Sequence, residues 1–319
     1  MKAAIGVDIG GTFVKCGLVR GKRLLVHRSF ATAASQTPKA LQGVIAEAVR
    51  LLIRQFPGSV EGVGVGIPGL VSYPEGLVRS CANLPGWKDV PLQSALKARL
   101  RLPVWVENDV NAMTLAEWKW GAGRGVSNLV CLTLGTGVGG GLVLDGRLFR
   151  GWEGSAGEIG HMPLGRSGAR CSCGGAACLE RTVGNREILK WVRQQLARGV
   201  KSRLLKLANG DPKQITPELI DEACRLGDPL ALEAWSRVGT EVGLALVSVV
   251  NLLNPERIVV GGGISKAGRW LFGPMRRTVR QRAMRGVARV SIVPARLGSL
   301  AGLIGAALLA QGVRHHDNF

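Results

Sequence analysis

The chain follows one local plan twice. Ala3-Ala-Ile-Gly-Val-Asp8 reads as a short apolar strand ending in an acid, and Gly10-Gly11-Thr12 turns the chain. Phe13 to Val19 alternates into a second strand, and Gly21-Lys22 turns again before a third at Leu24 to Phe30. From Ser127 the order recurs. A buried strand runs to Leu134, Gly135-Thr136-Gly137 opens a glycine-rich turn to Gly141, a strand covers Leu142 to Leu144, and Asp145-Gly146 turns tightly. Two such units imply a duplicated α/β architecture in which two hairpins face each other across a cleft. A Gly/Thr turn can offer N–H groups and a hydroxyl to phosphate, as backbone nests do. Opposed turns would grip a nucleotide's phosphates from both sides. Asp8 would then sit where the water shell of a magnesium ion is held. An ordinary hairpin explains either turn taken alone. Neither is a P-loop, because no Gly-Lys-Ser/Thr follows and neither opens a helix.

Between Gly157 and Glu180 the sequence changes character. Cys171, Cys173 and Cys178 fall within eight residues of one another, ten positions after His161, one of only four histidines. Cys3His is a tetrahedral zinc set, and Cys-x-Cys-x4-Cys with an upstream His is a metal spacing. Cys171 and Cys173 can ligate from the two ends of a tight turn, and Gly174-Gly175 lets the backbone bend back so that Cys178 joins them. A disulfide with a spare thiol is the competing account. Glu158 lies three residues before His161 and Glu180 two after Cys178. A metal clamp would therefore fix two carboxylates near each other, and carboxylates accept paired hydrogen bonds from hydroxyls such as those of a sugar.

At 319 residues the chain is longer than one core usually serves, so two domains are expected. Its net charge of +20 raises nucleic-acid binding. Against that, the basic residues read as scattered, aromatics make up only 5%, and no aromatic RNA-binding signature is present. Attraction of a nucleotide or polyphosphate fits the charge equally well, as does plain solvation. No signal peptide precedes Asp8, and the longest apolar stretch, Val242 to Leu253, reads as too short to span a bilayer. Cys16, Cys81, Cys131 and Cys224 read as small core residues, and reduced cysteines suit the cytoplasm. His315-His316 is too short to make a metal site.

The remaining segments alternate. Pro38 to Arg54 carries Leu41, Ile45, Val49 and Leu52 at helical spacing with Pro at its start. Val60 to Gly66 is a buried strand, and Asn83-Leu-Pro-Gly-Trp87 is a polar loop of the kind that carries ligand contacts. A strand from Pro103 runs into Glu107-Asn108-Asp109, and a helix from Val110 to Trp120 follows at once. An acid at a strand's C-terminal end is where α/β proteins place chemistry. Asp109 as a helix cap is the alternative, but capping does not account for Glu, Asn and Asp in succession. After the cysteines come helices at Asn185 to Arg198, Thr216 to Arg225 and Pro229 to Leu253. A strand from Glu256 to Val260 then meets Gly261-Gly262-Gly263, where bare backbone would let an adenine or ribose lie close. A basic helix from Gly268 to Arg285, a strand from Val287 to Pro294 and a small-residue helix from Leu300 to Gln311 complete the chain.

Asp8-Ile-Gly-Gly-Thr12, Asn83-Leu-Pro-Gly-Trp87, Glu107-Asn-Asp109, Leu134-Gly-Thr-Gly137, Gly157-Glu-Ile-Gly-His161 and the cysteine cluster together resemble the ROK family (repressors, open reading frames, kinases). The resemblance covers residues 3 to about 310 and implies the two-lobed, actin-like, ribonuclease-H-like ATPase fold. It implies a small lobe of residues 1–112 and 300–319 and a large lobe of 113–299 that carries the zinc motif. It implies Asp109 as general base toward a sugar hydroxyl, with Asn83, Asn108, Asp109, Glu158, His161 and Glu180 binding the sugar. Gly10, Gly11, Thr12, Thr136 and Gly137 would hold phosphates, Asp8 would lie near magnesium, and Gly262 and Gly263 near the adenosine of ATP. His161, Cys171, Cys173 and Cys178 would ligate a structural zinc. Three departures stand out: Phe13 where many members have Lys, Ala82 where Pro often precedes the loop Asn, and Gly175-Ala-Ala177 for a commoner Asn-Arg-Gly. A positive φ at Ala177 would cost about 1 kcal/mol.

The implied activity is ATP-dependent phosphorylation of a hexose, with glucokinases the best match for Glu-Ile-Gly-His and Asn-Leu-Pro-Gly-Trp. Fructose, mannose and N-acetylhexosamines use the same frame, and polyphosphate is an alternative donor. A sugar-responsive regulator is the competing class; the family's repressors carry a helix-turn-helix ahead of the kinase-like body, and only seven residues precede Asp8. Hexose and nucleotide are the implied partners, without membrane or nucleic acid. A homodimer or homotetramer is implied, and the sequence does not choose between them.

Overall fold

The computed structural model describes residues 3–312 apart from 12, 33–36, 57, 82, 83, 85 and 288. Expectations for Thr12, Ala82, Asn83 and the His315-His316 pair lie outside the described residues. The first half of the chain runs β1 (Ala3–Ile9), β2 (Phe13–Arg20), β3 (Arg23–Ala31), α1 (Pro38–Arg54), β4 (Val60–Ile67), β5 (Leu70–Ser72), β6 (Leu77–Ser80), β7 (Lys88–Val90), α2 (Leu92–Leu100), β8 (Val104–Asn108) and α3 (Asp109–Trp120). The second runs β9 (Leu129–Leu134), β10 (Val138–Leu144), β11 (Arg147–Phe149), α4 (Glu180–Val183), α5 (Asn185–Ala197), α6 (Leu204–Leu207), α7 (Pro217–Arg225), α8 (Pro229–Leu253), β12 (Arg257–Gly261), α9 (Arg269–Arg282), β13 (Ser291–Pro294) and α10 (Ala301–Ala310).

The duplication is explicit in the sheets. One has the order β3-β2-β1-β4-β8 and the other β11-β10-β9-β12-β13, so each places its strands in the order third, second, first, fourth, fifth. In the first, β1 and β2 pair antiparallel, as do β2 and β3, whereas β4 joins β1 and β8 joins β4 in parallel. In the second, β10 and β11 pair antiparallel and β12 and β13 parallel. A small sheet of β5, β6 and β7 is an addition in segments that the sequence reading leaves unassigned.

The chain divides into two compact units: Met1–Leu129 with Gly141–Gly157 and Ala295–Phe319, and Val130–Gly140 with Glu158–Pro294. In the first unit strand alternation decides which face meets which helix. Ala3, Ile5, Val7 and Ile9 of β1 enter one core with Leu41, Ile45, Val49 and Leu52 of α1 and Leu92 and Leu96 of α2. Ala4, between them, turns to Leu303 and Ala307 of α10. Thr37 starts α1 by accepting a hydrogen bond from the Ala40 N–H, with Pro38 in the first turn. Helix α10 sits on bare backbone, since a Cβ at Gly6 or Gly64 would overlap the carbonyls of Leu303 or Ala306. Gly305 meets Ala112 equally closely, so α3 packs along α10. For that reason all of α3 belongs to the first unit, although the sequence expectation divides the chain at residues 112 and 113.

In the second unit Asp228 caps α8 by accepting from the Ala231 N–H, and the same carboxylate also receives Ser202 Oγ and the Arg203 N–H. The helix stops at Asn254, which takes a left-handed conformation. Gly239 and Gly243 bring α9 into close contact with α8. At 25 residues with a mean hydropathy of 1.3 in its most apolar window, α8 is long and apolar enough to cross a membrane. That holds by length and composition only: Trp235, Val238, Val242, Leu246 and Val250 of α8 are buried inside the protein, and the helix also carries Glu233, Arg237 and Glu241.

Candidate functional site

In the first unit two features lie at the ends of parallel strands. The Gly10-Gly11 turn is closed by the Gly10 N–H donating to the Phe13 carbonyl at 2.9 Å, and Thr32 Oγ1 donates to the Gly10 carbonyl at 2.8 Å. Gly11 is exposed with open space where a side chain would project. Asp8 pairs across the sheet with Lys15, whose Nζ stands 3.8 Å from Oδ2. Gly302 of α10 packs against that carboxylate. Burial pushes the Asp8 pKa up, and the Lys15 charge opposes the shift. Phe13, the departure from the family's Lys, is half exposed.

The second feature is the β8–α3 junction. Asn108 Oδ1 accepts from the Val110 and Asn111 N–H groups and caps α3, while Nδ2 donates to the Gly69 carbonyl. Of Asn108's polar capacity, one amide N–H is left for a ligand. Asp109 is the first residue of α3 and only partly buried, with Oδ1 accepting from the Val110 N–H at 3.0 Å. The helix cap is Asn108, and Asp109 follows it at the C-terminal end of β8.

Glu107 is 1% exposed and explains the third member of the acid run. Its Oε1 accepts from the Asn108 N–H and from Asn111 Nδ2, and its Oε2 receives Arg150 Nε at 2.6 Å. The Arg150 guanidinium stacks on the Tyr73 ring, 3.8 Å from its centre. Arg150 and Tyr73 were missed by sequence reasoning. Neither sits in a motif, and only the fold brings residues 73, 107 and 150 together.

In the second unit the other Gly/Thr turn is held from below. Gly135 N–H donates to the Gly137 carbonyl, and Asn185 N–H donates to the Gly135 carbonyl. Thr136 is exposed at the tip. Glu180 Oε2 accepts from the Val138 N–H at 2.9 Å, and a Cβ at Gly137 would collide with that carboxylate. One oxygen of Glu180 thus braces the turn, leaving the other for a ligand. Gly262 (φ +86°) lies against the Leu134 backbone with no room for a side chain, whereas Gly263 faces open space. Of the two glycines read as an adenosine platform, Gly262 is explained by packing and Gly263 has the needed clearance.

The cysteine cluster passes a geometric test for zinc. Cys171 N–H donates to the Gly175 carbonyl and Gly174 N–H to the Cys171 carbonyl, which closes the expected tight turn with Gly174 at φ +94°. His161, Cys171, Cys173 and Cys178 bring their ligand atoms within 4.8 Å of one another. Cys173 and Cys178 Sγ are 3.7 Å apart, as are Cys171 Sγ and His161 Nδ1. A tetrahedron with Zn–S bonds of about 2.3 Å has edges of about 3.8 Å. The thiols thus stand at ligand spacing, and all seven cysteines are free. With Nδ1 turned to the sulfurs, His161 Nε2 faces Glu158 Oε2 at 3.8 Å. A carboxylate behind a ligating imidazole fixes its tautomer and orientation. Burial raises the Glu158 pKa, with His161 opposing the shift and Glu180 adding to it, so the two carboxylates feel each other as expected.

Comparisons with known proteins establish the chain's relatives. The ROK family model matches residues 4–313. A glucokinase from Streptomyces coelicolor is 35% identical over 98% of both chains, and one from Thermotoga maritima is 36% identical over 96% of both. A xylose repressor from Caldicellulosiruptor bescii is 30% identical over 88% of this chain and 70% of its own. Among solved structures, a ROK family glucokinase from Streptomyces griseus in complex with glucose and AMPPNP superposes with a TM-score of 0.85 at 35% identity, covering 97% of this chain and 99% of its own.

Proposed function

This chain belongs to the ROK family, and from that premise we propose that it is a sugar kinase that transfers the γ-phosphoryl group of ATP to a hexose, glucose first among them. The observation that carries the reading is the β8–α3 junction, where Asn108 caps the helix and Asp109, its first residue, puts a partly buried carboxylate at the C-terminal end of a parallel strand. Glucokinases matched over almost their full length support glucose, and the complex of the Streptomyces griseus enzyme with glucose and AMPPNP supports a nucleotide donor. The repressor relatives mark the other reading, a sugar-responsive regulator.

Phosphoryl transfer requires positioning and charge neutralisation more than covalent help. In this reading Asp109 accepts the proton of the attacking sugar hydroxyl, and Asn108 orients that hydroxyl with its free amide N–H. Asn83, Glu158, His161 and the unengaged oxygen of Glu180 hold the other hydroxyls. Backbone N–H groups of Gly10, Gly11 and Gly137, with Thr12 and Thr136, bind the phosphates, and Gly263 leaves room for the adenosine. A single carboxylate completed by substrate phosphates is a donor set that suits magnesium, which would supply Lewis-acid charge neutralisation beside Asp8. Zinc, held by His161 and the three cysteines, would act as a structural staple that fixes His161 and orients Glu158. Free thiols fit a reducing compartment, and the reading places the enzyme in the cytoplasm as a homodimer or homotetramer.

A coupled phosphorylation assay over glucose, fructose, mannose and N-acetylhexosamines with ATP tests the proposal. Glucose should give the highest kcat/KM. ATP-dependent turnover on no sugar, with sugar binding intact, would favour the regulator.

A further inference from the structure

The cysteine knuckle has a feature that ligand spacing alone does not require. Of the seven cysteines six are buried, and Cys173 alone is exposed. Its neighbours at the tip, Ser172, Gly174, Gly175 and Ala176, are exposed too, and none has a long side chain. Cys178 is only 1% exposed, yet its Sγ lies 3.7 Å from that of Cys173. Gly175 lays bare backbone beside both sulfurs: a Cβ there would stand 3.5 Å from Cys173 Sγ and 3.6 Å from Cys178 Sγ. An open sulfur thus touches a covered one, with Gly174 and Gly175 in the stretch between them.

A structural zinc site needs four ligands at the right spacing, and exposure of one of them adds nothing to that. Exposure does matter for oxidation. A metal-bound cysteine is a thiolate, and the thiolate is the form that attacks a peroxide. Oxidation-sensitive cysteines are reachable from solvent and stand beside a second thiol that resolves the first product. Cys173 meets the first condition and Cys178 supplies the second. A disulfide bond is about 2.05 Å long, so the two sulfurs must close by less than about 2 Å. Gly174, already at φ +94°, and Gly175 give the tip the backbone freedom to follow. Cys16, Cys81, Cys131 and Cys224 are at most 7% exposed and lack that access.

We propose that Cys173 and Cys178 form an oxidation site for hydrogen peroxide, with Cys173 as the attacking thiolate and Cys178 as the one that resolves it. The Cys173 thiolate takes an oxygen from the peroxide, giving a sulfenic acid and a hydroxide ion. The Cys178 thiolate then displaces a second hydroxide from that sulfur and closes the disulfide. In sum, two thiolates lose one electron each and one peroxide becomes two hydroxide ions. The disulfide leaves only His161 and Cys171 as zinc ligands, too few to hold the ion. Glu180 lies two residues beyond Cys178 and Glu158 faces His161, so the change occurs at the foot of both carboxylates. Departure of the ion rests on the zinc reading, and the experiment tests that reading separately from the disulfide. Untreated protein is assayed for zinc by elemental analysis and then titrated with hydrogen peroxide, with released zinc followed by a colorimetric chelator. Cysteines are blocked with one alkylating reagent in denaturant, reduced and labelled with a second, and tandem mass spectrometry reads the label on each residue. The second label should appear on Cys173 and Cys178 together, in step with zinc release, while Cys171 and the four core cysteines keep the first. Zinc release from Cys173→His, which retains four ligands without the exposed thiol, should be slower by at least about tenfold. Unslowed release would overturn Cys173 as the attacking group; if the variant holds no zinc, the wild-type label pattern decides alone. A second label on Cys171 in place of Cys178 would overturn the assignment of the resolving thiol. Persistence of all three knuckle thiols at a peroxide dose that fully oxidises free glutathione would overturn the site outright. Untreated protein without zinc would refute the zinc reading, and the label pattern would still decide the disulfide.

Discussion

Asp8 is a carboxylate held where the folded chain disfavours its charge. Burial raises its pKa despite Lys15 at 3.8 Å. A carboxyl whose folded pKa exceeds its unfolded value, about 3.9, binds more protons in the native state. Stability therefore falls as pH rises from the unfolded value through the raised folded one, and the penalty is full above it. Asp8→Asn should consequently unfold at the same or a higher temperature than wild type at pH 7, with the gap closing in acid, while turnover is lost. A lower Tm for Asp8→Asn at neutral pH would contradict the burial argument. At Ala177 the strain expected from the sequence is present, with φ at +56°. Ala177→Gly relieves about 1 kcal/mol of native strain and loses part of that to unfolded-chain entropy. Its denaturant midpoint should match or exceed wild type, and a clear decrease would show that the methyl group contributes packing that outweighs the backbone cost.

At the scale of elements, the β8–α3 junction depends on a pair invisible in the sequence. Glu107 and Arg150 are joined at 2.6 Å with side chains only 1% and 11% exposed. Removing one partner of a buried ion pair leaves an uncompensated charge and costs about 3–5 kcal/mol. Arg150→Met should destabilise the protein by that order in chemical denaturation, and adding Glu107→Gln should recover part of the loss. Additive losses in the double-mutant cycle would exclude the coupling. The cysteine knuckle gives a second test. Cys173→Ser or a strong chelator should remove one zinc per chain by elemental analysis, lower Tm and weaken sugar binding through loss of order at His161 and Glu158. Unchanged Tm and sugar affinity after zinc loss would show that the staple holds nothing of consequence. Legibility from sequence follows the physics at this scale. Helix α1 and the Cys3His set were readable because local periodicity and ligand spacing determine them. The β5-β6-β7 sheet was not, since its three- and four-residue strands are too short for alternation to register. Glu107, Arg150 and Tyr73 were not readable as a group because their meeting depends on tertiary contacts.

At the scale of the whole molecule, the repeated strand–turn–strand plan foretold two sheets of identical strand order. Family membership then follows from a match over residues 4–313. The unit boundaries were less legible. A division after residue 112 ignores how α10, from the far end of the chain, claims all of α3 through glycine contacts. Sugar identity is decided by hydroxyl partners, and similar residues serve kinases and repressors alike, so neither motif nor fold separates those roles. On the proposed reading Asp109 accepts a proton only during phosphoryl transfer, so an experiment at that residue separates them. The direct test is kcat for Asp109→Asn with glucose and ATP, alongside sugar affinity by titration. The account requires sugar affinity close to wild type with kcat lower by about 10²–10⁴-fold, the range for losing a general base. A kcat near the wild-type value in this variant would contradict it.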